Sequence, residues 1–147
     1  MNIPSEFPVV KTRFLSHGTL ETRDVVESKR FICEFFGFAG VRRGEHSTWI
    51  MCPGDTWSNV MVQSGGPRRP QTPDNVFRLT LESPEEVETA HEVATKHAAE
   101  YAIKEIHPIV EKDGFRSFLM SDFNTTWWEI GYWPKDHFHS FFGAAPQ

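Results

Sequence analysis

Cysteine is scarce in this 147-residue sequence, which contains only Cys33 and Cys52. Two cysteines make no disulfide framework, and this usage favours a reducing compartment such as the cytoplasm. No apolar run approaches the roughly 20 residues that a membrane-spanning helix needs. The first residues also lack the basic start and the apolar stretch of a signal peptide. We therefore expect a cytoplasmic protein that has no membrane partner.

Blocks of one charge are also missing. The formal net charge is −5, from 15 basic and 20 acidic residues, and these charges are spread along the chain. Only Arg42-Arg43 and Arg68-Arg69 form small basic spots, which argues against a nucleic-acid-binding surface. The glycine- and arginine-bearing segment 65–74 lacks the strand-to-helix context of a phosphate-binding loop.

Aromatic residues, in contrast, are plentiful, with 13 Phe and 5 Trp. Most of them are expected to fill a core, although aromatic-rich strands also line ligand cavities. The length predicts a single domain over residues 1–147 that is large enough to bury a core without disulfides.

The first half of the chain predicts a strand, a helix and three further strands. The strand is Phe14–Thr22, and a helix over Val25–Phe36 follows it. Asp24 is the predicted N-cap with Glu27 completing a capping box, and Gly37 ends the helix. The alternating apolar pattern then predicts strands at Phe38–Arg43, Ser47–Cys52 and Ser58–Gln63.

The second half repeats this order. Ser83 and Pro84 are a strong helix start, and the predicted helix runs to about Glu100. Asp113-Gly114 predicts a hairpin turn. The predicted strands are Asn75–Glu82, Ala102–Glu111, Phe115–Ser121 and Thr126–Tyr132. The chain thus predicts two βαβββ modules, at about residues 10–64 and 75–133, and an aromatic tail over 134–147.

Two polar residues lie in apolar strands that are far apart in the sequence. Glu129 stands between Trp128 and Ile130, and His17 lies in the first strand. A carboxylate in such a strand faces either solvent or an enclosed site, because burial without a partner is costly. Trp128 and Ile130 favour the face covered by the helix, so Glu129 is expected on the other face. His17 and Glu129 are therefore candidate residues for a metal site or a polar ligand site.

Two motifs resemble the vicinal oxygen chelate superfamily, which includes glyoxalase I, extradiol dioxygenases and the bleomycin-resistance proteins. Residues 17–25 with Phe35-Phe36-Gly37 look like the family's opening strand and helix. Asp122-Phe-Asn-Thr-Thr-Trp-Trp-Glu129-Ile looks like its closing "DPDGNxxE" strand. The resemblance implies an α+β fold in which two tandem modules form a half-open, cupped mixed barrel with the helices outside. It also implies a homodimer, and it puts His17 and Glu129 at metal-ligand positions.

The sequence departs from the family at two further ligand positions. The family often places a histidine within the segment that is Val76–Arg78 here, and Arg78 stands in its place. On the last strand of the first module, Val60 holds the ligand position and Gln63 is the nearest polar residue. Arg78 has two open interpretations. It binds an anionic substrate group, or it pairs with Glu129 and abolishes the metal site.

Other residues offer weaker candidates. Trp128 and Tyr132, with Trp133, either stack on an aromatic ligand or belong to the core or a dimer contact. His137 and His139 in the tail either complete a site or lie on the surface. The remaining four histidines are expected to be solvated, namely His46, His91, His97 and His107.

Three functions follow from the resemblance. The leading one is a metal-dependent enzyme, of the lyase, isomerase or dioxygenase type, acting on a small oxygenated or aromatic substrate. Its divalent ion, Fe, Mn, Zn or Ni, is held by His17 and Glu129. In this hypothesis Glu129 is also the catalytic residue, and Arg78, Trp128, Tyr132 and Gln63 bind substrate. The alternatives are a metal-free small-molecule-binding protein of the bleomycin-resistance type and a degenerate module that serves only in assembly.

Overall fold

The computed structural model describes residues 9–10, 17–52, 58–65 and 70–134. Its chain contacts separate two compact units, one over Val10–Arg69 and the other from Pro70 onward. Each unit has its own sheet and its own helix. In these described ranges no helix is long and apolar enough to cross a membrane.

The first unit has the predicted βαβββ order. The elements are β1 (Gly18–Thr22), α1 (Val25–Arg30), β2 (Ala39–Arg42), β3 (Ser47–Met51) and β4 (Ser58–Gln63). A π-helical turn, Phe31–Phe35, extends α1. The strand order in the sheet is β1-β4-β3-β2, with β1 parallel to β4 and the other neighbours antiparallel.

The start of α1 shows why the sequence turns into a helix there. The Oδ1 atom of Asp24 accepts hydrogen bonds from the backbone N–H groups of Val26 (2.8 Å) and Glu27 (3.0 Å), which confirms the predicted N-cap. The predicted reciprocal bond from Glu27 to the Asp24 N–H is wrong, because that N–H donates to Oγ1 of Thr22 at 3.1 Å. Gly37 follows the helix with a φ of 71°, the left-handed conformation that glycine adopts without strain.

The second unit has the same strand-helix-strand plan. The elements are β5 (Val76–Thr80), α2 (Pro84–Lys96), β6 (Glu105–Ile106), β7 (Val110–Lys112), β8 (Phe115–Ser121) and β9 (Trp127–Tyr132). The strand order in the sheet is β5-β9-β8-β6; β7 also pairs with β8, and β5 is parallel to β9. The expectation of one strand over 102–111 is wrong. Pro108 lies between β6 and β7, and it has no N–H to continue a ladder.

Each sheet buries one face against its helix. In the second unit, α2 packs on β8 and β9, and the ring of His91 meets Phe118 edge-on at 4.9 Å. Side chains alternate between the faces of a strand. The α2 side therefore includes Phe118, Met120, Trp128 and Ile130, all buried.

The first unit follows the same rule. Its helix packs on β3 and β4. The buried side chains on the covered face of the sheet are Leu20, Thr22, Thr48, Ile50 and Met61. Ser28 of α1 joins this face through a 2.5 Å hydrogen bond between its hydroxyl and that of Thr22. The parallel pairing of first and last strand in both units confirms the predicted repeat of two βαβββ modules.

Candidate functional site

A buried carboxylate fixes the turn that leads into β9. Asp122 is fully buried, and its Oδ1 atom accepts from the backbone N–H groups of Asn124 (2.8 Å) and Thr126 (3.0 Å). Its Oδ2 atom accepts from Nε1 of Trp128 at 3.0 Å. Three donors compensate for the cost of burying this charge. The bond to Trp128 also fixes the start of β9, and with it the position of Glu129.

Glu129 faces away from α2, as the alternation of the strand predicts. Its Oε2 atom lies 2.5 Å from Nε of Arg78, which is its register partner on β5. Its Oε1 atom accepts a hydrogen bond from the Ser117 hydroxyl at 2.8 Å. The Glu129 side chain is only 14% exposed, whereas that of Arg78 is 56% exposed. Both carboxylate oxygens are thus bound, and the second of the two interpretations of Arg78, the ion pair with Glu129, is present in the structure.

Ser117 is the member of this group that sequence reasoning missed. It lies on β8 opposite Gly131 and is fully buried. A Cβ atom at position 131 would stand 2.5 Å from the Ser117 Cβ and 2.8 Å from the Arg116 carbonyl oxygen. Glycine at 131 therefore lets Ser117 approach β9 and reach Glu129. The turn at 122–126 fixes the register of β8 and β9. Counting residues back from that turn would have placed Ser117 opposite Gly131 and on the face of Glu129.

The surroundings of this polar group are mostly apolar. Leu119 pairs with Glu129 across β8 and β9 and is half-buried, and Trp127, two residues before Glu129, is buried. Val76 on β5 pairs with Trp127. Thr80, two positions after Arg78, is exposed. The face of the second sheet opposite α2 therefore carries three linked polar side chains beside the apolar Val76, Leu119 and Trp127, and it also includes Thr80 and the buried Ser121. We call Arg78, Glu129 and Ser117 the polar trio.

Trp128 and Tyr132 lie on the other face of β9. Trp128 is wholly buried, packs against Phe77 at a ring distance of 5.6 Å and donates to Asp122. Tyr132 is half-buried and pairs with Arg116. Because the alternation turns both away from Glu129, the structure gives Trp128 a packing role, and we leave both out of the proposed site.

In the first unit, Gln63 has a structural partner. Its Oε1 atom accepts from the backbone N–H of Val25 at 3.0 Å, so it binds the first turn of α1 on the helix-covered side. Val60 stands on the opposite face, where the family's ligand position falls. Gln63 is therefore also left out of the proposed site.

His17 lies just before β1 and is exposed, with its ring 5.3 Å from that of Trp49. Trp49 is itself 44% exposed and pairs with Val60 and Val41. This open face of the first sheet is thus largely apolar. His17 belongs to the first unit and Glu129 to the second, so the metal site that they were expected to share stays a prediction.

The polar trio does not fit a divalent ion as it stands. A metal would need the Glu129 oxygens, but a guanidinium holds one and a hydroxyl the other. Across the residues that the structure describes, no three His, Cys, Asp or Glu side chains are grouped to hold a metal. A protein site for such ions usually takes three or more ligands.

The four other histidines of the described residues were expected to be solvated, and each has a described contact. His46 is exposed, and its Nε2 atom lies 3.8 Å from Glu45. The Nε2 atom of His91 lies 3.0 Å from the His107 carbonyl oxygen, and the His107 ring packs edge-on against Trp127 at 5.1 Å. His97 pairs with Glu100 at 2.6 Å. His137 and His139 lie outside the described residues.

Comparison with known proteins gave matches among solved structures alone. No family model matches the sequence, and no curated protein matches it. The fosfomycin resistance protein FosX from Listeria monocytogenes, complexed with Mn(II) and sulfate, superposes with a TM-score of 0.68. The identity is 16%, over 90% of this chain and 100% of that one.

Two further structures agree with this match. The oxidase ChaP-H2 gives a TM-score of 0.62 at 20% identity, over 84% of this chain and 96% of that one. FosX from Mesorhizobium loti gives 0.62 at 14% identity, over 85% and 96%. Together with the paired βαβββ units, these similarities show that the chain has the fold of the vicinal oxygen chelate superfamily.

Proposed function

We propose that this chain is a small-molecule-binding protein on the vicinal oxygen chelate fold. Its ligand contacts the α2-distal face of the second sheet, at the polar trio of Arg78, Glu129 and Ser117. Small-molecule sites typically combine apolar walls with a few converging polar groups. The observation that carries the proposal is that three polar side chains, linked at 2.5 and 2.8 Å, stand on a face with Leu119 and Trp127.

The trio is placed on rigid elements, as a recognition site requires. Arg78 and Glu129 are register partners on neighbouring parallel strands, and Ser117 lies on the next strand. The buried Asp122 turn fixes the start of β9. The partly exposed guanidinium is thus presented from a fixed base.

The structural neighbours support an oxygen-rich ligand. FosX from Listeria monocytogenes was crystallised with sulfate and, in a mutant form, with dihydroxypropylphosphonic acid. Both are small molecules with several oxygens. We propose a ligand of similar size for this chain.

A second candidate is the metal-dependent enzyme predicted from the sequence, because those FosX structures contain Mn(II). In this chain, Glu129 becomes a metal ligand only after Arg78 releases it. The sequence predicts His17 as a further ligand, and that prediction belongs to this candidate. The predicted homodimer belongs to this proposal too, and light scattering after gel filtration measures it.

One experiment separates the two candidates. Ligand-observed NMR would test fosfomycin, catechol and methylphosphonate against the protein, first without metal and then with Mn(II). Glu129→Gln is the test variant, and Glu82→Gln, at an exposed position on the same unit, is its control. Metal content is measured by elemental mass spectrometry after gel filtration.

Binding without metal that weakens only in Glu129→Gln supports the binding protein. Binding that requires Mn(II) favours the enzyme instead. If none of the probes binds at millimolar concentration under either condition, both candidates are contradicted.

A further inference from the structure

We infer that Arg78 is the built-in cation of this site and that the ligand carries an oxyanion group, such as a carboxylate, phosphate or phosphonate. This inference rests on the proposed function and names the chemistry that the site recognises. It follows from the finding that the polar trio does not fit a divalent ion, because both Glu129 oxygens are already bound. The FosX structures contain Mn(II), whereas this chain has a guanidinium held by Glu129, whose other carboxylate oxygen accepts a hydrogen bond from Ser117.

The geometry of the ion pair leaves the recognition edge of Arg78 available. Only its Nε atom bonds to Glu129. Among the residues that the structure describes, the two terminal amino groups of Arg78 have no polar partner. These two groups form a planar fork whose spacing matches two oxygens of a carboxylate or a phosphate-like group. An arginine held through Nε is therefore free to bind an anion end-on.

The charge of Glu129 does not cancel this role, because the two side chains lie at different depths. Glu129 is 14% exposed and Arg78 is 56% exposed. The Ser117 hydroxyl donates to the carboxylate at 2.8 Å. The negative charge is thus enclosed by its two donors, while the positive end of the pair reaches solvent.

The pair also reduces the cost of binding. A free arginine loses rotamer freedom when it closes on a ligand, and this loss of entropy weakens binding. Arg78 is already restrained by a charge-assisted hydrogen bond at 2.5 Å. A lysine at this position would present one point charge and would lack the fork.

The first test measures anion binding directly. Inorganic phosphate, methylphosphonate and acetate are titrated into ¹⁵N-labelled protein. Acetamide, the uncharged analogue of acetate, is titrated as the comparison. The variants are Arg78→Gln and Arg78→Lys. The control is Arg43→Gln, which removes an exposed arginine of the first unit.

We expect the oxyanions to shift the amide signals of β5 and β9 in the wild type. Arg78→Gln should weaken their affinity at least tenfold, and Arg78→Lys by an intermediate factor. Arg43→Gln should stay within twofold of the wild type. Equal oxyanion affinity in wild type and Arg78→Gln overturns the inference. If Arg78→Gln does not fold, Arg78→Lys is used in its place, and an oxyanion affinity equal to that of the wild type overturns the inference.

The probes also separate this inference from the function on which it rests. If neutral probes such as catechol bind near β9 and the oxyanions do not, the inference fails and the small-molecule-binding function stands. If no probe of either kind binds, the proposed function itself is contradicted.

A second test converts the site. Arg78→His removes the guanidinium from Glu129 and places an imidazole at the same register position, where the family often has a metal ligand. We expect Mn(II) to broaden the amide signals around Glu129 at a concentration at least tenfold lower than in the wild type. If the wild type responds at the same concentration as Arg78→His, Arg78 does not take the place of a metal.

Discussion

Arg78 and Glu129 are direct neighbours across the parallel strands β5 and β9, and Nε of Arg78 lies 2.5 Å from Oε2 of Glu129. The sheet register itself places the two charges side by side. The pair is therefore a property of the backbone arrangement, and it ties the charge of the candidate site to the correct pairing of two strands.

A double-mutant cycle of Arg78→Met and Glu129→Gln should show a coupling free energy of about 1 kcal/mol. Arg78 is more than half exposed, so solvent screening keeps the value modest. The matched control is the pair of Arg30, at the end of α1, and Glu34, in the following π-helical turn, which are 3.2 Å apart. Its expected coupling is ~0.3–0.5 kcal/mol. Urea unfolding of the variants measures both cycles. A coupling no larger than that of the control would contradict the assigned geometry.

Asp122→Ala should lower the free energy of unfolding by about 3 kcal/mol, because three buried donors lose their acceptor. Asp74→Ala, at an exposed turn, serves as the control and should change it by less than ~0.5 kcal/mol. Chemical denaturation followed by tryptophan fluorescence is suitable, since Trp128 reports on the affected site. Similar stability losses in the two variants would disagree with the role given to this carboxylate.

Thr125→Gly should stabilise the protein by about 1 kcal/mol. Thr125 has a φ of 63°, which is strained for a β-branched residue. Its buried hydroxyl has no hydrogen-bond partner among the described residues. In the "DPDGNxxE" pattern this position is glycine. Thr126→Gly, one residue later, should instead destabilise, and thermal unfolding of both variants measures the difference. A fall in melting temperature for Thr125→Gly would show that the strain is not there.

Gly40→Ala should destabilise the first unit, because the added Cβ would stand 2.7 Å from Sγ of Cys33. Cys33→Ala in the same chain removes that atom. The nearest remaining atom is then Cγ of Lys29 at 3.4 Å, on a flexible side chain. The double variant should regain most of the stability lost by Gly40→Ala alone, by at least ~1 kcal/mol. Additive losses in the two single variants would contradict this contact.

Turn residues made part of the fold predictable. The strands Ser58–Gln63 and Phe115–Ser121 have the bounds that the sequence predicts. Asp113 and Gly114 both have positive φ, as the hairpin turn requires. The pattern failed where one residue interrupts it. Pro108 divides the predicted strand 102–111, and the helix expected over Val25–Phe36 changes to a π-helical turn at Phe31.

The sequence predicted the candidate site only where the alternation of side chains along one strand determines which face of the sheet a residue occupies. That pattern places Glu129 on the face away from the helix, and the structure agrees. Whether Arg78 pairs with Glu129 depends on the register between two distant strands, which one sequence does not fix. The place of Ser117 depends on a third strand. Gln63 accepts a hydrogen bond from the first turn of α1, which the sequence did not indicate. Residues that act through partners on other strands were therefore the ones that sequence reasoning missed or left open.

The parallel pairing of β5 with β9 has a consequence for the order of folding. Arg78 and Glu129 are 51 residues apart in the chain, and β9 is the central strand between β5 and β8. During synthesis, Arg78 therefore leaves the ribosome several seconds before its partner, at roughly 5–20 residues per second. Until β9 emerges, β5 has no neighbour in its sheet. The pair of Arg78 and Glu129 in the proposed site therefore forms only after β9 has been made, and a chain that stops before β9 lacks both this pair and the central strand of its sheet.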